Sequence, residues 1–158
     1  SFGVDYVIVG HSERRANLNE TNEIVNKKIR TALSAGLKVI FCVGESKNVR
    51  SNGMTSAKNF VRAQIKAGLT GVKKNFLRQI IVAYEPIWAI GTGASDKPES
   101  SVEMAVFIKS LLPVRVLYGG SVNEKNAEKF LSKKELDGAL IGRASVDAKQ
   151  FKKIIKIK

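Results

Sequence analysis

Glu85 closes the apolar run Ile80-Ile81-Val82-Ala83, and Pro86-Ile87-Trp88-Ala89-Ile90-Gly91-Thr92-Gly93 follows at once. A carboxylate at the mouth of a buried strand, beside an apolar stretch able to fold over it, suits proton abstraction, because excluding water makes the acid more basic. Pro-Ile-Trp-Ala-Ile would be costly surface in an ordinary loop and makes sense as a cover, with Pro86 fixing one hinge and Gly91-Thr92-Gly93 the other. His11 is the single histidine, placed directly after the apolar run 6–9 and before Ser12-Glu13-Arg14-Arg15, a helix start. The positive end of a helix dipole disfavours an imidazolium, so a neutral ring that donates to a substrate oxygen is expected. The bland alternative is a strand end with a packed turn, a structural histidine, and a surface ion-pair cluster of Glu13, Arg14 and Arg15.

The elements that must position these groups are legible as runs. Residues 6–9, 39–43, 80–83, 114–118 and 139–141 are apolar and, apart from Arg115, continuous, as expected of parallel strands buried on both faces. Helical spacing lies between them: Ile24, Ile29 and Leu33 with Val25 and Ala32 beside them, then residues 55–69, then Val102, Ala105, Val106, Ile108 and Leu112. Gly36 suits a helix stop, Pro98-Glu99 a first turn, Asn123 a cap, and Asp147 with Gln150 a capping box. Strand and helix thus alternate five times. Polar or glycine-rich residues follow each strand, and in a parallel sheet these emerge on one edge, where α/β sites lie. Gly119-Gly120-Ser121 and Gly142-Arg143 there resemble phosphate cradles, since glycines let backbone N–H groups approach an anion. A Rossmann fingerprint after the first strand is missing, which favours barrel-type units over a dinucleotide sheet.

Composition bounds the rest. With 158 residues, 44% hydrophobic and 26% charged, the chain reads as a single α/β domain over residues 1–158. No apolar run of membrane-spanning length and no signal-peptide pattern stands in it, and the lone Cys42 fits a reduced, cytoplasmic setting. The net charge of +13 is spread over separate lysine pairs such as Lys27-Lys28, Lys73-Lys74, Lys133-Lys134 and Lys152-Lys153. Spread charge of this kind is a solvated surface, so no nucleic-acid and no membrane partner is expected; an absent acidic segment is another explanation of the excess.

Four motifs carry a closer resemblance: residues 6–15, 42–45, 83–93 and 118–122 are similar to the triosephosphate isomerase family, in its order and from end to end of the chain. The resemblance covers the last five of that family's eight β/α units. It implies an incomplete (β/α)8 barrel, here strands 4 to 8, and an enzyme of glycolysis and gluconeogenesis interconverting dihydroxyacetone phosphate and glyceraldehyde 3-phosphate. It implies no cofactor and no metal. His11 matches the electrophile that polarises the carbonyl, and Glu85 the base that moves a proton between two carbons. Backbone N–H groups at Gly91, Ser121, Gly142 and Arg143 match the phosphate site. Residues 86 to 96 match the mobile lid, Tyr118 helps to hold it, and Ser12, Glu13 and Cys42 support the pair. The family form is a homodimer.

Two departures bear on this reading. Arg143 stands where the family commonly has a second glycine. The family's first three strands, with an asparagine and a lysine near the first strand's end, and its third, dimer-forming loop have no counterpart in the 158 residues. Five strands do not close a barrel that needs about 250 residues, so the fragment alone is expected to be unstable or oligomeric and poorly active, requiring the N-terminal barrel segment. The alternatives are an inactive or complementing barrel fragment, another phosphate-binding barrel isomerase, and a basic binding module.

Overall fold

The structure, a computed structural model, describes residues 3–90 and 96–157. Four parallel strands form one sheet in the order β1-β2-β3-β4: β1 (Tyr6–Val9), β2 (Lys38–Val43), β3 (Ile80–Tyr84) and β4 (Arg115–Tyr118). Two helices, α1 (Ser12–Asn17) and α2 (Asn22–Ser34), join β1 to β2. Next come α3 (Lys47–Ser51) and α4 (Met54–Gly68), with α5 (Pro98–Leu111) between β3 and β4. After β4 lie α6 (Ala127–Leu131) and α7 (Ala148–Ile155).

Register separates the two faces of the sheet, because paired residues on parallel neighbours point the same way. Val39 pairs with Ile80, Phe41 with Val9 and Val82, and Tyr84 with Val43 and Tyr118. Those residues lie in the hydrophobic core together with Val25, Ile29 and Leu33 of α2, Val61 and Ile65 of α4, and Met104, Ala105 and Ile108 of α5. The core therefore sits between one face of the sheet and the helices. On the other face Ile8 pairs with Ile40, Ile40 with Ile81, and Ala83 with Leu117. On this face Ile81 and Ala83 are buried and Ile40 and Leu117 partly so, and the exposure gathers at the β1 edge, where Tyr6 and Ile8 remain 37% and 45% exposed.

The fifth expected strand shrinks to one bridge. Ala139 pairs with Tyr118 alone, while Tyr118 N–H donates to the Gly138 carbonyl at 3.0 Å and Leu140 N–H to that of Tyr118 at 2.8 Å. The segment hydrogen-bonds like an incoming parallel strand, but among the described residues no neighbour lies on its far side to extend it. The cap signals held better. Asp147 Oδ1 accepts from the backbone of Lys149 and Gln150 at 2.9 and 3.1 Å, Pro98 opens α5, and Gly36 follows α2 at φ 80°. Asn123 does not begin the sixth helix: Asn126 takes the cap position, and Asn123 Oδ1 accepts from Lys125 N–H at 2.9 Å in the turn before it. No described helix is long and apolar enough to cross a membrane.

Candidate active site

Glu85 is the first residue beyond β3. Its N–H continues the ladder to the Val43 carbonyl at 2.7 Å, which fixes the backbone and aims the side chain along the sheet edge. The carboxylate is 2% exposed. Oε2 accepts the Ser12 N–H at 2.9 Å across 73 positions of sequence. Oε1 lies 3.2 Å from His11 Nε2, and among the described residues no aligned donor reaches it. Burial pushes the Glu85 carboxyl above its ordinary range, opposed by the His11 ring, the Ser12 N–H and hydroxyl and the Cys42 thiol. The result is a carboxylate more basic than a solvated one. Room for it comes from the residue after β4: a Cβ at Gly119 would lie 2.8 Å from Glu85 Cγ, so only glycine fits there.

His11 caps α1, and its Nδ1 accepts the Glu13 N–H at 3.3 Å. A ring nitrogen that accepts from an N–H carries no proton, so in the neutral ring the proton sits on Nε2, the atom facing Glu85. Cys42, next to the end of β2, lies on the same face as Glu85, and burial raises its thiol well above the usual range, with Glu85 adding to the effect. Its role there is packing and a weak hydrogen bond.

The segment after Glu85 is tied down at both described ends. Ile87 to Ala89 form one 3-10 turn after Pro86; Ile87 N–H donates to the Glu45 carbonyl at 3.1 Å, and Ser121 Oγ donates to the Ala89 carbonyl at 2.6 Å. Ile90 ends this stretch, its N–H donating to the Ile87 carbonyl at 3.2 Å. At the far end, Asp96 N–H donates to the Tyr118 hydroxyl at 3.1 Å, and Asp96 Oδ2 accepts from Ser101 Oγ at 3.0 Å. Gly91, Thr92 and Gly93 lie outside the described residues. Gly142 and Arg143 occupy an exposed turn after the Ala139 bridge, where no described contact joins them to Ser121.

Several residues of this region had no marked role in the sequence. Glu45, fully buried, accepts the Tyr84 hydroxyl at 3.0 Å and Trp88 Nε1 at 3.3 Å, with Arg50 Nη1 at 3.6 Å. Burial raises its carboxyl, and those donors oppose the rise. Arg50 also donates to Ser100 Oγ and approaches Asp96 Oδ1 at 3.9 Å. Gln64 Oε1 accepts from Gly44 N–H at 2.8 Å. A polar residue on the apolar stripe of α4 was the one signal for Gln64; Arg50 carried none. The basic pair Arg14-Arg15 divides: Arg14 is exposed and joins Lys28 on the buried Glu20, while Arg15 turns inward.

A parallel sheet that gathers a buried carboxylate and an imidazole at the carboxyl ends of its strands places this chain among α/β proteins whose sites lie on that edge. The particular family follows from comparison. The model of the triosephosphate isomerase family matches residues 1–158, and the chain belongs to that family. It is 45% identical over 161 residues to the triosephosphate isomerase of Dictyoglomus thermophilum and 46% over 162 residues to that of Aquifex aeolicus, covering 96% and 97% of this chain and 64% of each relative. The chain thus spans less than two thirds of the length of these curated relatives.

Proposed function

We propose that residues 1–158 are a single partial barrel domain, strands 4 to 8 of a (β/α)8 barrel, belonging to a cytoplasmic, homodimeric triosephosphate isomerase of glycolysis and gluconeogenesis. The observation that carries this is the buried Glu85 carboxylate 3.2 Å from His11 Nε2. In this reading Glu85 takes a proton from the carbon beside the substrate carbonyl. His11 Nε2–H donates to the carbonyl oxygen as charge develops, and the proton returns to the neighbouring carbon through an enediolate. This division of labour is the one known for the family. Since 3.2 Å leaves no space for a carbon between the two groups, substrate must displace Glu85 from the Ser12 N–H.

The phosphate is taken by backbone N–H groups at Gly91, Ser121, Gly142 and Arg143, and residues 86 to 96 close over it, with the Ala89–Ser121 and Asp96–Tyr118 bonds anchoring that lid. The exposed β1 edge, with Tyr6 and Ile8 open beside it, supports a requirement for the N-terminal barrel units, without which the chain has little activity. The test is isomerase assay of the chain alone and joined to the N-terminal units of a relative. In the joined enzyme Glu85→Ala and His11→Ala each lower turnover by about 10²–10⁴-fold; turnover within a few-fold of the parent in either variant refutes the role given to that residue.

A further inference from the structure

One cation in this region is half-buried and, among the described residues, pairs with no carboxylate. Arg15 Nε donates to the Gly10 carbonyl at 2.7 Å, Nη1 to Asn22 Oδ1 at 2.8 Å, and Nη2 reaches the Cys42 carbonyl at 3.4 Å. Its guanidinium therefore joins three elements: the turn that carries His11, the first turn of α2, and the end of β2 whose side chain faces Glu85. Gly10 makes the turn at φ 77°, and a Cβ there would come within 3.0 Å of Arg15 Nη2 and 3.2 Å of the Cys42 carbonyl. The backbone before His11 is thus wedged between Arg15 and β2.

We propose that Arg15 is a positioning residue: by holding the Gly10 carbonyl against β2 it sets where the His11 ring stands and which of its nitrogens faces Glu85. This rests on the isomerase reading above only for its effect on turnover. The geometry requires a planar fork. Three acceptors in three directions match the donors of a guanidinium, whereas a lysine ammonium is a point charge on a flexible stem and does not hold the Gly10 carbonyl against β2. The Gly10 carbonyl, released, lets the turn relax, and the His11 Nδ1 loses its alignment with the Glu13 N–H, which is already long at 3.3 Å.

Because His11 is the single histidine, the ¹⁵N resonances of the imidazole report on this directly, in the 158-residue chain and without any activity. The parent shows an unprotonated Nδ1 and a protonated Nε2. In Arg15→Ala and Arg15→Lys the two resonances move toward each other, and millimolar ethylguanidinium restores the parent pattern in Arg15→Ala. In the enzyme joined to the N-terminal units, kcat of both variants falls about 10- to 100-fold, with KM within about twofold, and ethylguanidinium rescues Arg15→Ala. A folded Arg15→Lys with parental resonances and turnover overturns the proposal. So does a lowered melting temperature with no change in the imidazole, or failure of both variants to fold, since each means that Arg15 acts on stability alone. If the joined enzyme is inactive with the parent sequence, the isomerase reading fails while the imidazole readout still decides the role of Arg15.

Discussion

Glu85 combines burial with incomplete hydrogen bonding: one oxygen has the Ser12 N–H, and the other has the His11 edge without an aligned bond. A carboxylate in that position costs stability in exchange for basicity, and pH reveals the cost. Its folded pKa is raised, so the unfolded chain ionises more readily. The fold accordingly loses stability as pH rises from the unfolded carboxyl's value of about 4.3 through the folded one. Glu85→Gln keeps the shape and removes the charge, so its melting temperature exceeds the parent's at pH 7, and the gap closes as pH falls below about 4.3. Thermal unfolding of both chains across pH 4 to 8 checks this. A Glu85→Gln variant less stable than the parent at pH 7 contradicts the picture of a desolvated base.

At the scale of elements, the segment after Glu85 is anchored by single bonds from neighbouring strand ends, so its behaviour is separable from the chemistry. Tyr118 is fully buried, stacked on Phe130 at 4.0 Å between ring centroids, and burial pushes its hydroxyl up to about 12. It stays neutral and serves as acceptor for the Asp96 N–H. Tyr118→Phe keeps the stack and strands that buried N–H, which costs about 1–3 kcal/mol. Amide exchange at Asp96 rises, with Gly119 and the β4 amides unchanged; an Asp96 amide exchanging as in the parent removes Tyr118 as an anchor. Much of this architecture was legible in the sequence. Val25, Ile29, Ala32 and Leu33 are buried where helical spacing put them, and four of the five apolar runs became strands, the first of them exposed at Tyr6 and Ile8 rather than buried on both faces. Ile24 and Val106, assigned to the same stripes, are 39% and 52% exposed, because a stripe read from apolar identity alone has no sharp border. The run 139–141 was overread, since apolarity reports burial and not the presence of a partner strand. The convergence of His11, Ser12 and Glu85 followed from the shared strand edge. The Glu45–Tyr84–Trp88–Arg50 cluster did not, because its members are ordinary residue types brought together by tertiary structure alone.

At the scale of the whole molecule two forces act on the apolar face exposed at the β1 edge, with opposite salt dependence. β1 pairs only with β2 among the described residues, and Tyr6 and Ile8 stand exposed beside its free edge, a template for further pairing. Against association stands the net charge of +13 on a 17.3 kDa chain, which repels a second copy across a range set by the Debye length, about 10 Å at 0.1 M salt. Self-association is therefore weak at low ionic strength and grows as salt screens the repulsion while leaving the apolar face unchanged. A completing segment of opposite charge shows the reverse trend: attraction adds to burial, and salt weakens it. Sedimentation of the isolated chain from low to high salt gives increasing mass, and Ile8→Lys, which puts a charge on that face, suppresses the increase. Titration with the N-terminal units of a relative, made acidic and neutral in turn, shows salt-sensitive binding for the acidic form alone. A chain that stays monomeric and melts cooperatively at every salt concentration means that the face is closed by its own residues, and that the fold needs nothing further to complete it.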